Sequence, residues 1–287
     1  MPNTSAQPHP EIAVVVISCG DRPTLVAAVR SLQKQEVPAE IVVVHSGPGD
    51  PAARLAEAGL QVRVISSNQR LYAGGARNLG IAATHAPYVA FLADDCLAEP
   101  GWLAERLRLH QEGAPAVASS LLCHKPDHPV ALAAHLSLYV RRMPRAHPSK
   151  ALAYGASYAR ALFTRYGRFR DDLESGEDTE FHQRLAPADQ PRWQPQIRTV
   201  HAGAETLSAF LSGQYQRGRR MASAWSAIGS HSPGFVARNA LARTGQTIRE
   251  SLQVIEPRYR LAAVLALPLV LLGNLVYAWG ALAGGRR

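Results

Sequence analysis

The sequence predicts an α/β fold: a mixed, mainly parallel sheet flanked by helices, continued by a helical C-terminal extension that ends in an apolar helix. Three features predict it. β-Branched runs alternate with segments of helical periodicity from Ile12 to Trp102. One such run, YVAFLA at 88–93, stops at the adjacent carboxylates Asp94 and Asp95. At the far end, no charged residue occurs from Leu261 to Ala283.

Taken in order, IAVVVIS at 12–18 is continuously apolar, as expected of a strand buried on both faces. Asp21-Arg22-Pro23 then opens LVAAVRSLQKQ, whose apolar positions recur at helical spacing. Ile41–Val44 is the second strand, HSGPGDP a turn, Ala52–Ala58 a helix and Val62–Ser66 the third strand. Alternation of this kind implies parallel strands joined by crossovers. Gly74-Gly75-Ala76-Arg77-Asn78 begins a helix that runs to Thr84 and feeds the strand ending in the aspartates. A helix from Trp102 to Gln111 and a strand from Ala116 to Leu122 follow. Cys123–Lys150, rich in His, Pro and Arg, lacks periodicity and is expected to be an irregular insertion. Ala153–Tyr158 reads as a strand, Ala159–Tyr166 as a helix and GEDTEFHQRL as an acidic helix start; beyond His201 the pattern is mainly helical.

With 287 residues and 47% hydrophobic content the chain can bury a substantial core, which excludes a disordered protein. Its net charge of +9 favours an anionic partner: nucleic acid, a membrane surface or a phosphorylated substrate. Three widely separated cysteines indicate neither a disulfide framework nor a cysteine zinc site, and they fit a reducing compartment. Residues 1–11 lack the basic-then-apolar pattern of a secretory signal and read as a disordered leader. Leu261–Ala283 can cross a bilayer core of roughly 30 Å as a helix. An interfacial helix and a buried soluble helix are the alternatives, since Pro268 and Asn274 interrupt the run.

Several side chains have a chemical and a plain structural reading. Asp94 and Asp95, at the carboxyl end of a buried strand, suit a divalent cation facing a phosphate-bearing substrate; alternatively they cap the helix beginning near Trp102. Glu174, Glu177, Asp178 and Glu180 can supply a general base at a helix start, or simply answer the helix dipole beside an N-cap at Ser175. Arg77 suits a phosphate or a solvated helix face, and His201 a metal or a half-buried position.

In this order the segments resemble the family 2 glycosyltransferases. The resemblance rests on VVVISCGDRPTLVAAVRSLQKQ, EIVVVHSGPGD, NQRLYAGGARNLGIAATHAPYVAFLADDCLAEPGWL and GASYARALFTRYGRFRDDLESGEDTEFHQRL, and spans residues 12–220. It implies the Rossmann-like GT-A fold over 12–220, with a nucleotide-binding half at 12–100 and an acceptor-binding half at 101–220. A helical extension at 221–260 and a membrane-inserted helix at 261–283 complete the expected organisation.

The resemblance further implies transfer of a sugar from a nucleotide-sugar donor to an acceptor hydroxyl on a glycan or lipid-linked molecule, with inversion and with Mg²⁺ or Mn²⁺. FLADDC is similar to the family's metal-binding Asp-X-Asp segment, which makes Asp95 the metal ligand and places Asp94 beside the sugar or ribose. Glu177-Asp178 matches the family's catalytic pair, with Asp178 as base. Ser18 to Asp21 and Arg77 fall where the nucleotide is framed, and His201 at a further metal or diphosphate contact. Two positions depart from the family pattern: His45 stands where an aspartate commonly reads the base, and Ala93 replaces the first acid of the metal segment. The expected setting is the cytoplasmic face of the inner membrane, with no nucleic-acid partner. A catalytically impaired scaffold of the same fold and a sugar nucleotidyltransferase are the competing readings.

Overall fold

The computed structural model describes residues 9–284 apart from Tyr154, Ile228 and Ser230; residues 1–8 of the expected leader, with Arg286 and Arg287, lie outside the described residues. The first half runs β1 (Ile12–Cys19), α1 (Thr24–Gln33), β2 (Ala39–Ser46), α2 (Pro51–Glu57), β3 (Arg63–Ser67), α3 (Ala73–Ala83), β4 (Tyr88–Ala93) and β5 (Cys96–Ala98). The second runs α4 (Trp102–Gln111), β6 (Ala116–Cys123), α5 (Pro129–Tyr139), β7 (Ser157–Ala159), α6 (Ala161–Tyr166), α7 (Glu177–Arg184) and β8 (Arg192–His201). Three long helices close the described chain: α8 (Leu207–Ala227), α9 (Pro233–Val254) and α10 (Arg260–Gly284).

The eight strands form one sheet in the order β3-β2-β1-β4-β7-β6-β8-β5. β3, β2, β1 and β4 are parallel, because each is reached through a crossover helix. β7 reverses direction against β4 and β6, β8 runs parallel to β6, and β5 adds an antiparallel edge to β8. The sheet is therefore mixed and mainly parallel at its centre, as the sequence predicts.

Alternation along β1 divides the core into two layers. Val14 and Val16 share a buried cluster with Leu25 and Val29 of α1 and with Trp102 and Leu103 of α4. Val15 belongs to the opposite face, with Ile81 of α3, Phe169 and Phe181. A third cluster joins Leu132 and Leu136 of α5 to Phe210 of α8, Val254 of α9, and Ala263, Ala266 and Val270 of α10.

This third cluster corrects one sequence expectation. Cys123–Lys150 is not irregular throughout: it contains α5 and two 3₁₀ turns, Val140–Arg142 and Pro148–Lys150. Six consecutive residues of α5, Ala131 to Leu136, are buried, so the helix has no polar face and leaves no 3.6-residue pattern to read. The strand expected at 153–158 is reduced to β7, and β5 was not anticipated at all.

α8 continues without a break through residue 220 and packs on α10 backbone to backbone. A Cβ on Gly218 would stand 2.1 Å from the Tyr277 carbonyl oxygen, and one on Gly280 2.1 Å from the Tyr215 carbonyl oxygen, so neither position has room for a side chain. The other face of α10 is open: Leu261, Leu265, Leu272, Trp279 and Leu282 are exposed. With the turn before it, α10 is long and apolar enough to cross a membrane by length and composition.

Candidate active site

Parallel pairing brings the carboxyl ends of the central strands to one edge. Ser18 of β1 is in register with His45 of β2, and Ile17 with Ala93 of β4, so the loops that follow these strands emerge together. Asp94 and Asp95 leave β4 at this edge. Neither caps the next helix, whose N-cap is Gly101 in the left-handed conformation without a side-chain hydrogen bond.

The two aspartates differ in surroundings. Asp94 is 4% exposed; its backbone N–H donates to the Ile17 carbonyl at 3.0 Å, and its Oδ2 accepts from the Cys19 N–H at 3.4 Å. Burial raises its pKa, a tendency that Ser18 and Arg22 only partly offset. Asp95 is more open. Arg22 donates to its Oδ2 at 3.0 Å, and His201 Nε2 stands 3.9 Å from the same oxygen.

His201 reaches this position from the end of β8, where antiparallel pairing sets it opposite Cys96, the residue after Asp95. Its ring meets Tyr139 edge-on at 4.9 Å, and its buried Nδ1 has no hydrogen-bond partner among the described residues. Burial lowers its pKa, against the pull of Asp95, and favours the neutral imidazole that can ligate a metal.

The acidic helix start approaches from the other side. Gly176, in the left-handed conformation, is the N-cap of α7, and no side-chain hydrogen bond caps the helix, so Ser175 does not play that part. Glu177 is 6% exposed and ion-paired with Arg77 of α3, whose guanidinium lies 5.5 Å from the Phe91 ring centroid and 5.2 Å from that of Phe169. Burial alone would lower the Arg77 pKa; the charges of Glu177 and Asp178 outweigh it and raise it. Asp178 Oδ1 accepts from the Thr179 N–H at 2.8 Å.

A cavity of about 370 Å³ joins these pieces. Arg77, Asp95, Asp178 and His201 all line it, together with Tyr139 and Arg142. The remaining predicted residues lie around it. Glu177 stands behind Arg77, Ser18 and His45 are buried at the strand ends with the Ser18 hydroxyl 3.3 Å from His45 Nδ1, and Asp21 is ion-paired with Arg54 on the surface. His45 Nε2 is buried without a partner among the described residues.

Three residues of the site were missed from sequence. Arg22 was legible in principle, because the loop after β1 must lie beside the loop after β4 in a parallel sheet. Tyr139 and Arg142 carry no such signal, since they depend on the unforeseen helix α5 and the turn after it.

The donor set is sparse for a divalent cation. Among the described residues no group of three or more His, Cys, Asp or Glu side chains is placed to hold one alone. Asp95 Oδ2 and His201 Nε2 stand 3.9 Å apart on one wall of the cavity, between the about 3.0 Å and 4.2 Å that cis and trans ligands of an octahedral ion with bonds of about 2.1 Å span. Mg²⁺ usually completes its shell with water and substrate phosphates, which suits a two-residue site.

Residues 13–131 match the sequence profile described as "Glycosyl transferase family 2". The succinoglycan biosynthesis protein ExoO of Rhizobium meliloti (strain 1021) is 34% identical over 121 residues, which cover 41% of this chain and 34% of that protein. The match thus spans about a third of the relative's length. Among solved structures, the mannosyltransferase PcManGT from Pyrobaculum calidifontis, in complex with GDP-Man and Mn²⁺, aligns with a TM-score of 0.60 at 16% identity over 96% of this chain and 87% of that one. Glucosyl-3-phosphoglycerate synthase from Mycobacterium tuberculosis, with Mn²⁺, UDP-glucose and phosphoglyceric acid, aligns at 0.52 and 20% identity over 79% and 82%. TarS residues 1–349 from S. aureus, with UDP-GlcNAc, align at 0.52 and 14% over 94% and 92%. At these identities the likeness concerns the fold, which is GT-A.

Proposed function

We propose that the chain, whose residues 13–131 match the glycosyl transferase family 2 profile, transfers a sugar from a nucleotide-sugar donor to an acceptor hydroxyl with inversion. The observation that carries this reading is the single cavity lined by Arg77, Asp95, Asp178 and His201, which sets a carboxylate–imidazole pair and a second carboxylate on the walls of one space.

Asp95 and His201 would hold the cation, Mg²⁺ or Mn²⁺, which would offset negative charge on the departing nucleoside diphosphate. Asp178 takes the proton of the acceptor hydroxyl as its oxygen attacks the anomeric carbon. The bond from that carbon to the diphosphate oxygen breaks on the opposite face, so the configuration inverts. Glu177 acts through Arg77: their ion pair ties the start of α7 to α3 and so fixes Asp178 against the cavity. Ser18, Asp21, His45 and Asp94 form the donor side, with His45 in place of an acid for the base.

The acceptor is a glycan or lipid-linked hydroxyl. α10 inserts in the membrane, its apolar outer face toward lipid, with the body on the cytoplasmic face; three cysteines without disulfides accord with that compartment. The units are 12–220, 221–260 and 261–283, the first the transferase body.

A screen of UDP-, GDP-, dTDP- and CDP-sugars with Mg²⁺ and Mn²⁺ tests the class. Sugar release supports transfer, diphosphate release from a nucleoside triphosphate supports a nucleotidyltransferase, and silence throughout supports a scaffold. Asp178→Asn is expected to keep donor binding and lose turnover; a variant as active as wild type removes Asp178 from the base role.

A further inference from the structure

A second cavity, of about 290 Å³, opens between α5, α8, α9 and α10. The segment Ser137–Arg142 contributes to both cavities: Ser137, Val140 and Arg141 line the second, Tyr139 and Arg142 the candidate active site. Its walls include Arg141, Arg217 and Arg243, with no Asp or Glu among the described lining residues.

The three arginines are not equivalent. Arg141 is matched by Glu250, to which its Nε and Nη2 donate at 2.9 and 3.2 Å. Arg243 is on the exposed side of α9. Arg217 lies 4.9 Å from the Tyr277 ring centroid and donates through Nη2 to the Ser137 carbonyl at 3.4 Å. Its Nη1 is buried and has no hydrogen-bond partner among the described residues. A buried guanidinium nitrogen without an acceptor is unfavourable, and the oxygens of a phosphate match the fork of donors it presents.

We propose that this cavity binds the phosphate group of an anionic ligand, held by Arg217 and Arg243 as charged donors, with Asn239 and Asn274 as neutral partners in the same wall. The site stands apart from sugar transfer and is read by binding alone. Its phosphate comes either from a lipid headgroup, since α10 contributes Asn274 and Tyr277 to the cavity while exposing leucines on its other face, or from a free phosphate ester.

Calorimetric titration of the full chain with inorganic phosphate, in EDTA so that no divalent cation recruits phosphate to Asp95, measures the first source. Arg243→Gln, at an exposed position that does not endanger folding, is expected to weaken binding roughly tenfold, the worth of one charge-assisted hydrogen bond. Arg217→Gln should do the same, and Asp95→Asn should leave the affinity unchanged. Flotation with vesicles of phosphatidylcholine, with and without phosphatidic acid, measures the second source. Phosphatidic-acid-dependent flotation that Arg243→Gln abolishes assigns the ligand to lipid; phosphate binding that needs Arg243 while flotation does not assigns it to a free ester. Phosphate binding lost in Asp95→Asn, or binding in both assays indifferent to Arg217 and Arg243, overturns the proposal.

Discussion

The Arg77–Glu177 pair sets a structural account of Glu177 against a catalytic one. Its side chains are 12% and 8% exposed, and the guanidinium is flanked by Phe91 and Phe169, so little water is available to replace a lost partner. Glu177→Gln removes the anion and leaves a buried cation. Breaking a buried pair from one side typically costs about 3–5 kcal/mol, whereas replacing both members by apolar groups of similar volume is close to neutral. The double variant Arg77→Met, Glu177→Leu is therefore expected to recover most of the stability that Glu177→Gln loses. Urea denaturation of the wild type, Arg77→Met, Glu177→Leu and the double variant completes the cycle, with Glu177→Gln measured beside it. A Glu177→Gln loss below about 1 kcal/mol, or a double variant no more stable than the single ones, would falsify the argument that the pair is desolvated and mutually dependent.

Other outcomes follow from particular contacts. His110 is held neutral by burial at a pKa of about 4, with Nδ1 2.7 Å from the Ala114 carbonyl and Nε2 2.8 Å from the Ser157 hydroxyl. Between pH 6.5 and 4 the unfolded chain binds a proton there that the folded chain does not, so stability falls on acidification, by about 3 kcal/mol for this residue across that window. His110→Gln should remove that part of the pH dependence; denaturation curves at pH 7 and pH 4 that shift equally in both proteins count against it. Arg22→Gln frees Asp95 Oδ2 from its 3.0 Å hydrogen bond and should tighten Mn²⁺ binding, by at most about fivefold for so exposed a pair; weaker binding by calorimetry contradicts competition for that oxygen. Gly280→Ala places a Cβ against the Tyr215 carbonyl and should cost about 1–3 kcal/mol; an unchanged melting midpoint refutes the tight crossing of α8 and α10. Replacing exposed Leu261, Leu265 and Leu272 by Gln should reduce sedimentation with lipid vesicles while preserving the helical circular dichroism, and full retention on vesicles removes α10 as the membrane contact.

Much of the fold was legible because local chemistry and tertiary role coincide in it. The central strands are apolar runs ended by turn residues, and α1 and α4 start and stop near the expected residues. The aspartates after β4 were visible because charges that end an apolar strand stand out, and the start of α7 because its acids are dense. α5 was not legible, since a helix buried all round has no periodic polar face. Nor was β5, three residues long and defined only by pairing with β8.

By itself the sequence determined the α/β class, the order of its central elements, the apolar character of the last helix and the residue types available for chemistry. Tertiary structure decided which of those residues meet. Pairing of β5 with β8 carries His201 to Asp95 across a separation no periodicity records. The Arg77–Glu177 ion pair joins α3 to α7 across 100 positions of chain. The physical reason is range: hydrophobic pattern and turn chemistry act over a few neighbouring residues, whereas strand register and buried charge pairing act between segments far apart in the chain.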